Sequence, residues 1–230
     1  MKNQYDEKYN ALLDSSAEVM SRIKFERTQG RLVFPESENV FRCLEVPVDE
    51  IRCVFVGMDP YPTYTKKNGK IIPEATGRSF EVASFKSWLK KTERASLRNI
   101  LKALYYYKTG EVVSLPVVRE KMKSKEFLLP PPTEWFDTMQ AQGVVFLNAS
   151  LTVEAGKPNS HQKLWAGFMQ QYAELIVRLN KEAKWILAGK DAQNRFGDVV
   201  PKENQICCSH PRMAGFVTEC PFKEVDIKWV

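Results

Sequence analysis

The sequence predicts an α/β fold, with three α/β/α layers and a central, mainly parallel sheet of four strands. Two observations predict it. Four short apolar runs have the composition of buried strands, and amphipathic helical patterns alternate with them along the chain. A length of 230 residues, with no internal repeat and no long linker, predicts one domain over residues 1–230.

The elements follow from hydrophobic periodicity and strand composition. In chain order they are a helix, a strand, a helix, a strand, a helix and two strands, at residues 5–24, 52–56, 96–108, 144–147, 162–180, 185–188 and 205–208. Gly57 ends the first strand, and Ser96 is expected to be the N-cap of the second helix. Lysine-rich stretches at 63–70 and 119–126 are expected to be surface insertions.

Composition narrows the class of protein. The hydrophobic fraction of 43% and charged fraction of 27% are those of a globular chain and not of a disordered one. The 34 basic and 28 acidic residues give a net charge of +6, which permits a nucleic-acid partner without requiring one. No apolar run is long enough to span a membrane, and the first residues lack a secretory signal, so we expect a cytoplasmic protein without a membrane partner.

The cysteines and histidines argue against a metal centre. There are five cysteines and two histidines, and no Cys-x-x-Cys pair occurs. A disulfide framework, an iron–sulfur cluster and a zinc site are therefore not expected. The cysteines are expected to be small core residues. We expect chemistry that needs neither a cofactor nor a metal.

Polar side chains follow the predicted strands. In parallel sheets, ligands bind beyond the carboxyl ends of the strands. Those positions hold Asp59, Asn148, Lys190 and His210, so an acid, an amide, a cation and an imidazole are expected at one edge. The glycine-rich phosphate loops and the GxSxG nucleophile motif are absent, which argues against nucleotide hydrolysis, dinucleotide redox chemistry and an α/β-hydrolase. A triad using Ser209 is disfavoured, because neighbours on a strand point to opposite faces.

A series of short blocks resembles the signature blocks of family 1 uracil-DNA glycosylases, in the same order. The blocks are GMDPYP (57–62), GRSF (77–80), SLRNILKAL (96–104), QGVVFLNASLTV (142–153), NSH (159–161), GKDAQ (189–193) and SHP (209–211). A single block such as DPY recurs by chance, so the ordered series carries the resemblance. It extends over about residues 33 to 229.

The resemblance implies a mechanism and a set of catalytic and base-binding residues. Enzymes that act on a DNA base take the nucleotide out of the stack and bind it in a pocket. By the match, Asp59 would stabilise an oxocarbenium-like sugar and orient or activate water. His210 would donate a hydrogen bond to uracil O2. The Asn148 amide and the backbone at Met58 would bind the base, and the Phe80 ring would stack on it. Tyr61 would lie beside C5 and so exclude the methyl group of thymine.

The resemblance also implies DNA contacts and shows departures. Ser96, Lys190 and Arg212 match positions that contact phosphates, and Met213 or Phe216 would wedge into the vacated stack. The family's usual GQDPYH is GMDPYP here, with Met58 and Pro62 as the differences. The segment between Tyr61 and Phe80 is longer than usual, and the DNA-intercalation loop after His210 is shorter. Lys91-Thr92-Glu93-Arg94 replaces a proline-rich loop.

Alternatives remain open at this point. Asp59 before Pro60 is also typical of a turn, and His210, Asn148, Tyr61 and Phe80 also fit structural roles. Lys190 and Arg212 also fit solvated surface charges, and His161 a cap. The expected protein is a monomeric, metal-independent uracil-DNA glycosylase that acts on single- or double-stranded uracil-containing DNA and initiates base excision repair. A non-catalytic DNA-binding or damage-recognition module of the same fold is the alternative, and altered base specificity is a third.

Overall fold

A computed structural model describes residues 4–230, so residues 1–3 of the predicted domain lie outside the described residues. The helices are α1 Asn10–Ser15, α2 Ala17–Thr28, α3 Ala95–Thr109, α4 Leu115–Lys123, α5 Pro132–Ala141, α6 Ala166–Leu179, α7 Lys190–Phe196 and α8 Gly215–Glu219. The strands are β1 Val33–Phe34, β2 Cys53–Gly57, β3 Tyr64–Lys67, β4 Lys70–Pro73, β5 Val144–Asn148, β6 Val153–Glu154, β7 Lys184–Ala188 and β8 Gln205–Cys208.

The four strands predicted from the apolar runs form one sheet in the order β5-β2-β7-β8, and every pair in it is parallel. This confirms the predicted α/β class and the four-stranded sheet. All the strands end at the same edge, where Gly57 lies opposite Asn148 and Ala188 lies opposite Cys208. Two small antiparallel sheets, β1-β6 and β3-β4, lie outside the central one.

Each face of the central sheet has its own hydrophobic layer, because successive strand side chains point to opposite faces. Val54 and Val56 of β2 belong to a cluster that includes buried residues of α1, α2, α6 and α7. Phe55, between them, belongs to a second cluster with residues of α3, α4, α5 and α8. Helices therefore cover both faces, as the three-layer prediction requires.

Three predicted helices begin or end differently in the structure. The N-terminal helix is divided at Ser16, whose hydroxyl donates to the Leu13 carbonyl at 2.7 Å. The predicted N-cap at Ser96 is wrong: α3 begins at Ala95, and the Thr92 hydroxyl accepts from the Arg94 N–H at 3.1 Å just before it. The helix predicted at 162–180 is α6, which begins at Ala166 and not at residue 162.

Four helices, α4, α5, α7 and α8, were not predicted from the sequence, and the first two lie in stretches that suggest another structure. The lysine-rich stretch 119–126 is not an insertion between elements, because its first half is the end of α4, which packs on α3 through the buried Val118. The proline run leads into α5, which starts at Pro132. Proline is tolerated in the first turn of a helix, because an N–H there has no partner within the helix. The other lysine-rich stretch, 63–70, lies mostly in the exposed β3-β4 hairpin.

Candidate functional site

A cavity of about 360 Å³ lies beyond the ends of β2, β5 and β8. Of the ten site residues predicted from the sequence, all but Lys190 and Met213 line it: Met58, Asp59, Tyr61, Phe80, Ser96, Asn148, His210 and Arg212. Lys190 and Met213 line a neighbouring cavity of about 700 Å³, which shares Met58, His210 and Arg212 with the first. The sheet edge thus brings together residues that lie far apart in the sequence.

Asp59 is a half-buried carboxylate two residues beyond β2. Its Oδ2 accepts a hydrogen bond from the backbone N–H of Asn159, which lies on the loop that follows β6. Burial raises the pKa of the Asp59 carboxyl above its usual value, and the Asn159 hydrogen bond acts in the opposite direction. The ionised carboxylate lies in a partly desolvated site, where its charge acts more strongly than in water.

His210 follows β8 and faces the same cavity. Its Nδ1 accepts a hydrogen bond of 3.1 Å from the backbone N–H of Arg212, so the proton of the neutral ring is on Nε2. Burial, and then the Arg212 charge, lower the pKa of His210 below its usual value, while Asp191 opposes them. The imidazole is therefore neutral at pH 7 and has one N–H to donate.

Gly57 and Gly189 allow the close approaches on which the site depends. A Cβ at Gly57 would lie 2.8 Å from the Cβ of Ser79 and 3.1 Å from Oδ1 of Asn148. A Cβ at Gly189, where φ is +91°, would lie 2.9 Å from the Cβ of His210. Glycine is thus required at both strand ends for the side chains beside them to reach the cavity.

The base-sized part of the cavity has an amide and an aromatic wall. Asn148 ends β5 with only 2% of its surface exposed, and within residues 4–230 its side-chain amide makes no hydrogen bond, so it can bind a ligand. Phe80 has φ +65°, a strained conformation for a bulky residue. The preceding Ser79 is held by its N–H to Phe146 O and by its hydroxyl to Phe55 O, each at 3.1 Å, which fixes the Phe80 ring in the wall.

Tyr61 is fixed by an arginine that sequence analysis did not assign to the site. The Arg94 guanidinium lies 4.7 Å from the centroid of the Tyr61 ring and donates to the Thr63 hydroxyl at 2.6 Å. Burial raises the pKa of Tyr61 to about 12, so the phenol keeps its proton. Arg94 is the last residue of the segment that replaces the proline-rich loop, and that departure from the family pattern was the only signal for it.

The residues expected to contact DNA lie around the cavities. Ser96 is in the first turn of α3, and Lys190, Arg212 and Met213 are exposed. The Asn99 amide donates to the carbonyls of Pro211 and Met213, at 2.7 and 3.2 Å, and so holds the turn after His210. Of the two candidate wedges, Met213 is 55% exposed, whereas Phe216 is fully buried against Phe55 and cannot reach a DNA stack.

Two other polar residues have structural partners. The Ser209 hydroxyl donates to Glu219 at 2.6 Å and not to His210, which rules out the serine triad. His161 is 4% exposed; its Nδ1 is hydrogen-bonded to the Thr152 hydroxyl at 2.8 Å, and its Nε2 lies 3.0 Å from the Glu26 carboxylate. It supports the loop that carries Asn159, a residue whose backbone contact with Asp59 was not foreseen, although it lies in the NSH block.

The arrangement suits hydrolysis through a cationic transition state. A partly desolvated carboxylate and a neutral N–H donor face one cavity, which an amide and an aromatic ring also line. In the part of the chain that the structure describes, no three His, Cys, Asp or Glu side chains gather as a metal site. Nor does any helix there have the length and hydropathy to cross a bilayer.

Comparison with known proteins gives a consistent result. The chain is 29% identical over 231 residues to the uracil-DNA glycosylase of Thermobifida fusca, covering 98% of this chain and 88% of that one. It is 30% identical over 189 residues to the uracil-DNA glycosylase of Ureaplasma parvum, covering 79% and 71%. The crystal structure of the Nitratifractor salsuginis UNG has the same fold, with a TM-score of 0.73, 20% identity, and coverage of 96% and 90%. No family model matches the chain.

Proposed function

The chain belongs to the uracil-DNA glycosylase superfamily, and on that basis we propose that it hydrolyses the N-glycosidic bond of uracil in DNA. The products are free uracil and an abasic site, with which base excision repair begins. The observation that carries the proposal is the convergence of Asp59, Asn148 and His210 in one cavity large enough for a base.

Bond cleavage uses two opposite charges in the transition state. As the C1′–N1 bond breaks, its electron pair goes to uracil and the sugar becomes cationic. The Asp59 carboxylate stabilises that cation and orients the water that attacks C1′, accepting its proton. Nε2–H of His210 donates to O2 of uracil, where the negative charge develops. The neutral tautomer set by the Arg212 N–H is the one this step needs.

Base selection relies on the remaining walls of the cavity. The Asn148 amide presents both a donor and an acceptor, which match N3–H and O4 of uracil. Phe80 stacks on the base, and Tyr61, fixed by Arg94, occupies the space beside C5 that the methyl of thymine would need. The backbone at Met58 contacts the base; its carbonyl already accepts from Ser150 N–H at 3.1 Å, which holds this segment in place.

The proposal includes finer assignments. The ordered blocks support membership of family 1, with GMDPYP as a divergent first motif and a shortened intercalation loop in which Met213 is the wedge. Ser96, Lys190 and Arg212 contact phosphates. We assign the whole of residues 1–230 to one domain that acts as a monomer, without metal or cofactor, on single- or double-stranded DNA. The five free cysteines support a reducing compartment such as the cytoplasm.

The test is incubation of the purified protein, in EDTA, with oligonucleotides that differ only in one uracil or thymine, followed by alkaline cleavage. Wild type should cleave the uracil strand alone. Asp59→Asn should lose most single-turnover activity while binding DNA at least as well, because a negative charge near phosphates is removed. His210→Ala should lose about 10²- to 10³-fold. The exposed Asp198→Asn is the matched control and should resemble wild type.

The same experiment separates the enzyme from the alternative. A non-catalytic damage-recognition module would bind the uracil strand without cleaving it, and Asp59→Asn would change nothing. If the wild-type protein binds the uracil strand without releasing the base, the catalytic assignment is wrong and the damage-recognition module is supported.

A further inference from the structure

The β3-β4 hairpin is an exposed, regular element that the proposed mechanism does not use. Its strands are joined by a two-residue turn, Asn68-Gly69, with φ of 51° and 75°, the dipeptide and conformation typical of tight hairpins. All four residues of β3 are exposed.

The base of the hairpin is fixed to the wall of the base-sized cavity. Pro62, which lines that cavity, accepts a hydrogen bond of 2.9 Å from the N–H of Gly156, on the loop that leads to Asn159. One residue further on, the Thr63 hydroxyl accepts from Arg94, the residue that fixes Tyr61. The hairpin therefore starts at the edge of the site and is held to it from both sides.

One face of the hairpin packs on the protein and the other does not. The Tyr64 ring packs on the Phe34 ring, with the two ring centroids 5.6 Å apart, and Ile71 packs on the small cluster around β1 and β6. Since strand side chains alternate, Lys66 lies on the same face as Tyr64 and Ile71, whereas Thr65 and Lys67 point to the opposite face. Lys70 is paired with Lys67 and shares that face.

The lysines of the hairpin carry positive charge that no carboxylate neutralises. Lys66, Lys67 and Lys70 are exposed, residues 63–73 contain no acidic residue, and within residues 4–230 none of the three lysines makes an ion pair. Lys67 and Lys70 lie directly opposite each other, a like-charge pair that destabilises a hairpin.

The second lysine-rich stretch differs in this respect. Lys121 pairs with Glu126, and Lys123 pairs with Glu120 at 2.8 Å. Its lysines are therefore partly neutralised within the protein itself, which makes this stretch a matched reference for the hairpin.

We propose that the β3-β4 hairpin binds the phosphate backbone of DNA that flanks the extruded nucleotide. The inference rests on the proposed function, which supplies the DNA. Lys67 is five residues beyond Pro62, so at about 3.3 Å per residue it reaches up to about 16 Å from the cavity edge. At about 3.4 Å per phosphate along one strand, this distance corresponds to about five nucleotides.

The test compares two triple variants that lower the net charge equally, from +6 to +3. They are Lys66→Gln/Lys67→Gln/Lys70→Gln in the hairpin and Lys121→Gln/Lys123→Gln/Lys125→Gln as the control. Affinity for a 25-nucleotide duplex with a central abasic site is measured over a series of salt concentrations. The hairpin variant should flatten the plot of log K against log[salt] by up to about 1.8, at about 0.9 for each of Lys67 and Lys70, the two lysines on the open face. The control should keep the wild-type slope.

Oligonucleotide length provides the second readout. The affinity deficit of the hairpin variant, relative to the control, should be larger on a single-stranded 25-mer than on a single-stranded pentamer, each with a central abasic site, because the pentamer ends before the lysines. Equal slopes for the two variants, or a deficit independent of length, would overturn the inference. Failure of the proposed function is distinguishable, because the wild-type protein would then release no uracil from oligonucleotides of either length that carry a central uracil in place of the abasic site.

Discussion

The substitution Gly57→Ala, which adds a single methyl group, should displace its neighbours and lower the activity of the site. In Gly57→Ala the new Cβ would lie 2.8 Å from the Cβ of Ser79, where ordinary contact begins near 3.4 Å, so atoms must move by about 3.4 − 2.8 = 0.6 Å. Ser79 has little freedom, since its N–H and hydroxyl both bond to neighbouring strands. The movement is therefore expected in Asn148, whose Oδ1 would be 3.1 Å away, and in the end of β2.

The expected loss of activity follows from that displacement. A misplacement of about 1 Å costs about 10²-fold in rate, so a shift of this size should lower single-turnover uracil release by about 10- to 100-fold. Overpacking at a buried position should also lower the free energy of unfolding by about 1–3 kcal/mol. The φ of Gly57 is not in the left-handed region, so backbone strain does not contribute.

The assay pairs single-turnover excision with urea unfolding, at a temperature at which every variant is folded. Gly167→Ala is the control, because no atom lies within 4 Å of its new Cβ and it sits in α6, where alanine stabilises a helix by up to about 1 kcal/mol. In an Asn148→Ala background, Gly57→Ala should cost less, since the oxygen it displaces is gone. If Gly57→Ala loses stability but excises uracil within twofold of Gly167→Ala, the reasoning is refuted.

Four further outcomes follow from the same geometry. Tyr61→Ala should open the space beside C5 and release thymine from ordinary DNA, measured as new alkali-labile sites; their absence would mean that another group excludes the methyl. Asn148→Asp should increase cytosine release, because a carboxylate accepts from the exocyclic amino group; unchanged discrimination on a cytosine oligonucleotide would contradict the base-edge role. Arg212→Ser removes a charge that lowers the pKa of His210, so the imidazolium should form at higher pH. The acid limb of the pH profile of excision should therefore move to higher pH, and an unmoved limb would mean that the Arg212 charge does not affect the pKa of His210. Lys190→Ser with Arg212→Ser should flatten the salt dependence of abasic-site binding by up to about 2 in slope, with little change in base preference, whereas an unchanged slope would make both residues solvated surface charges.

The elements that the sequence predicted well are those that local composition determines. The apolar runs at 52–56, 144–147, 185–188 and 205–208 all became strands of the central sheet, because short apolar runs of this length are typical of buried strands. The placement of Asp59, Asn148 and His210 after those strands also followed, since parallel strands end at a common edge.

Helix ends were less predictable, because they depend on competing hydrogen bonds. Ser96 has the composition of an N-cap, but Thr92 provides the local hydrogen bond before α3. The proline run before Pro132 indicates a loop in sequence, although burial of Trp135 and Phe136 stabilises a helix there. At α3 one local hydrogen bond replaces another, whereas at α5 tertiary burial outweighs the local preference.

The sequence alone determined the fold class, the strands and the chemical types present at the sheet edge, because these depend on periodicity and on the order of the blocks. Only the tertiary structure decided the state and neighbours of those groups. The Arg212 N–H selects the tautomer of His210, Asn159 binds the carboxylate of Asp59, and Arg94 covers Tyr61. A hydrogen bond, or a cation over an aromatic ring, requires the two groups to lie within a few ångströms of each other in the correct orientation. The spacing of residues in the sequence does not specify those distances.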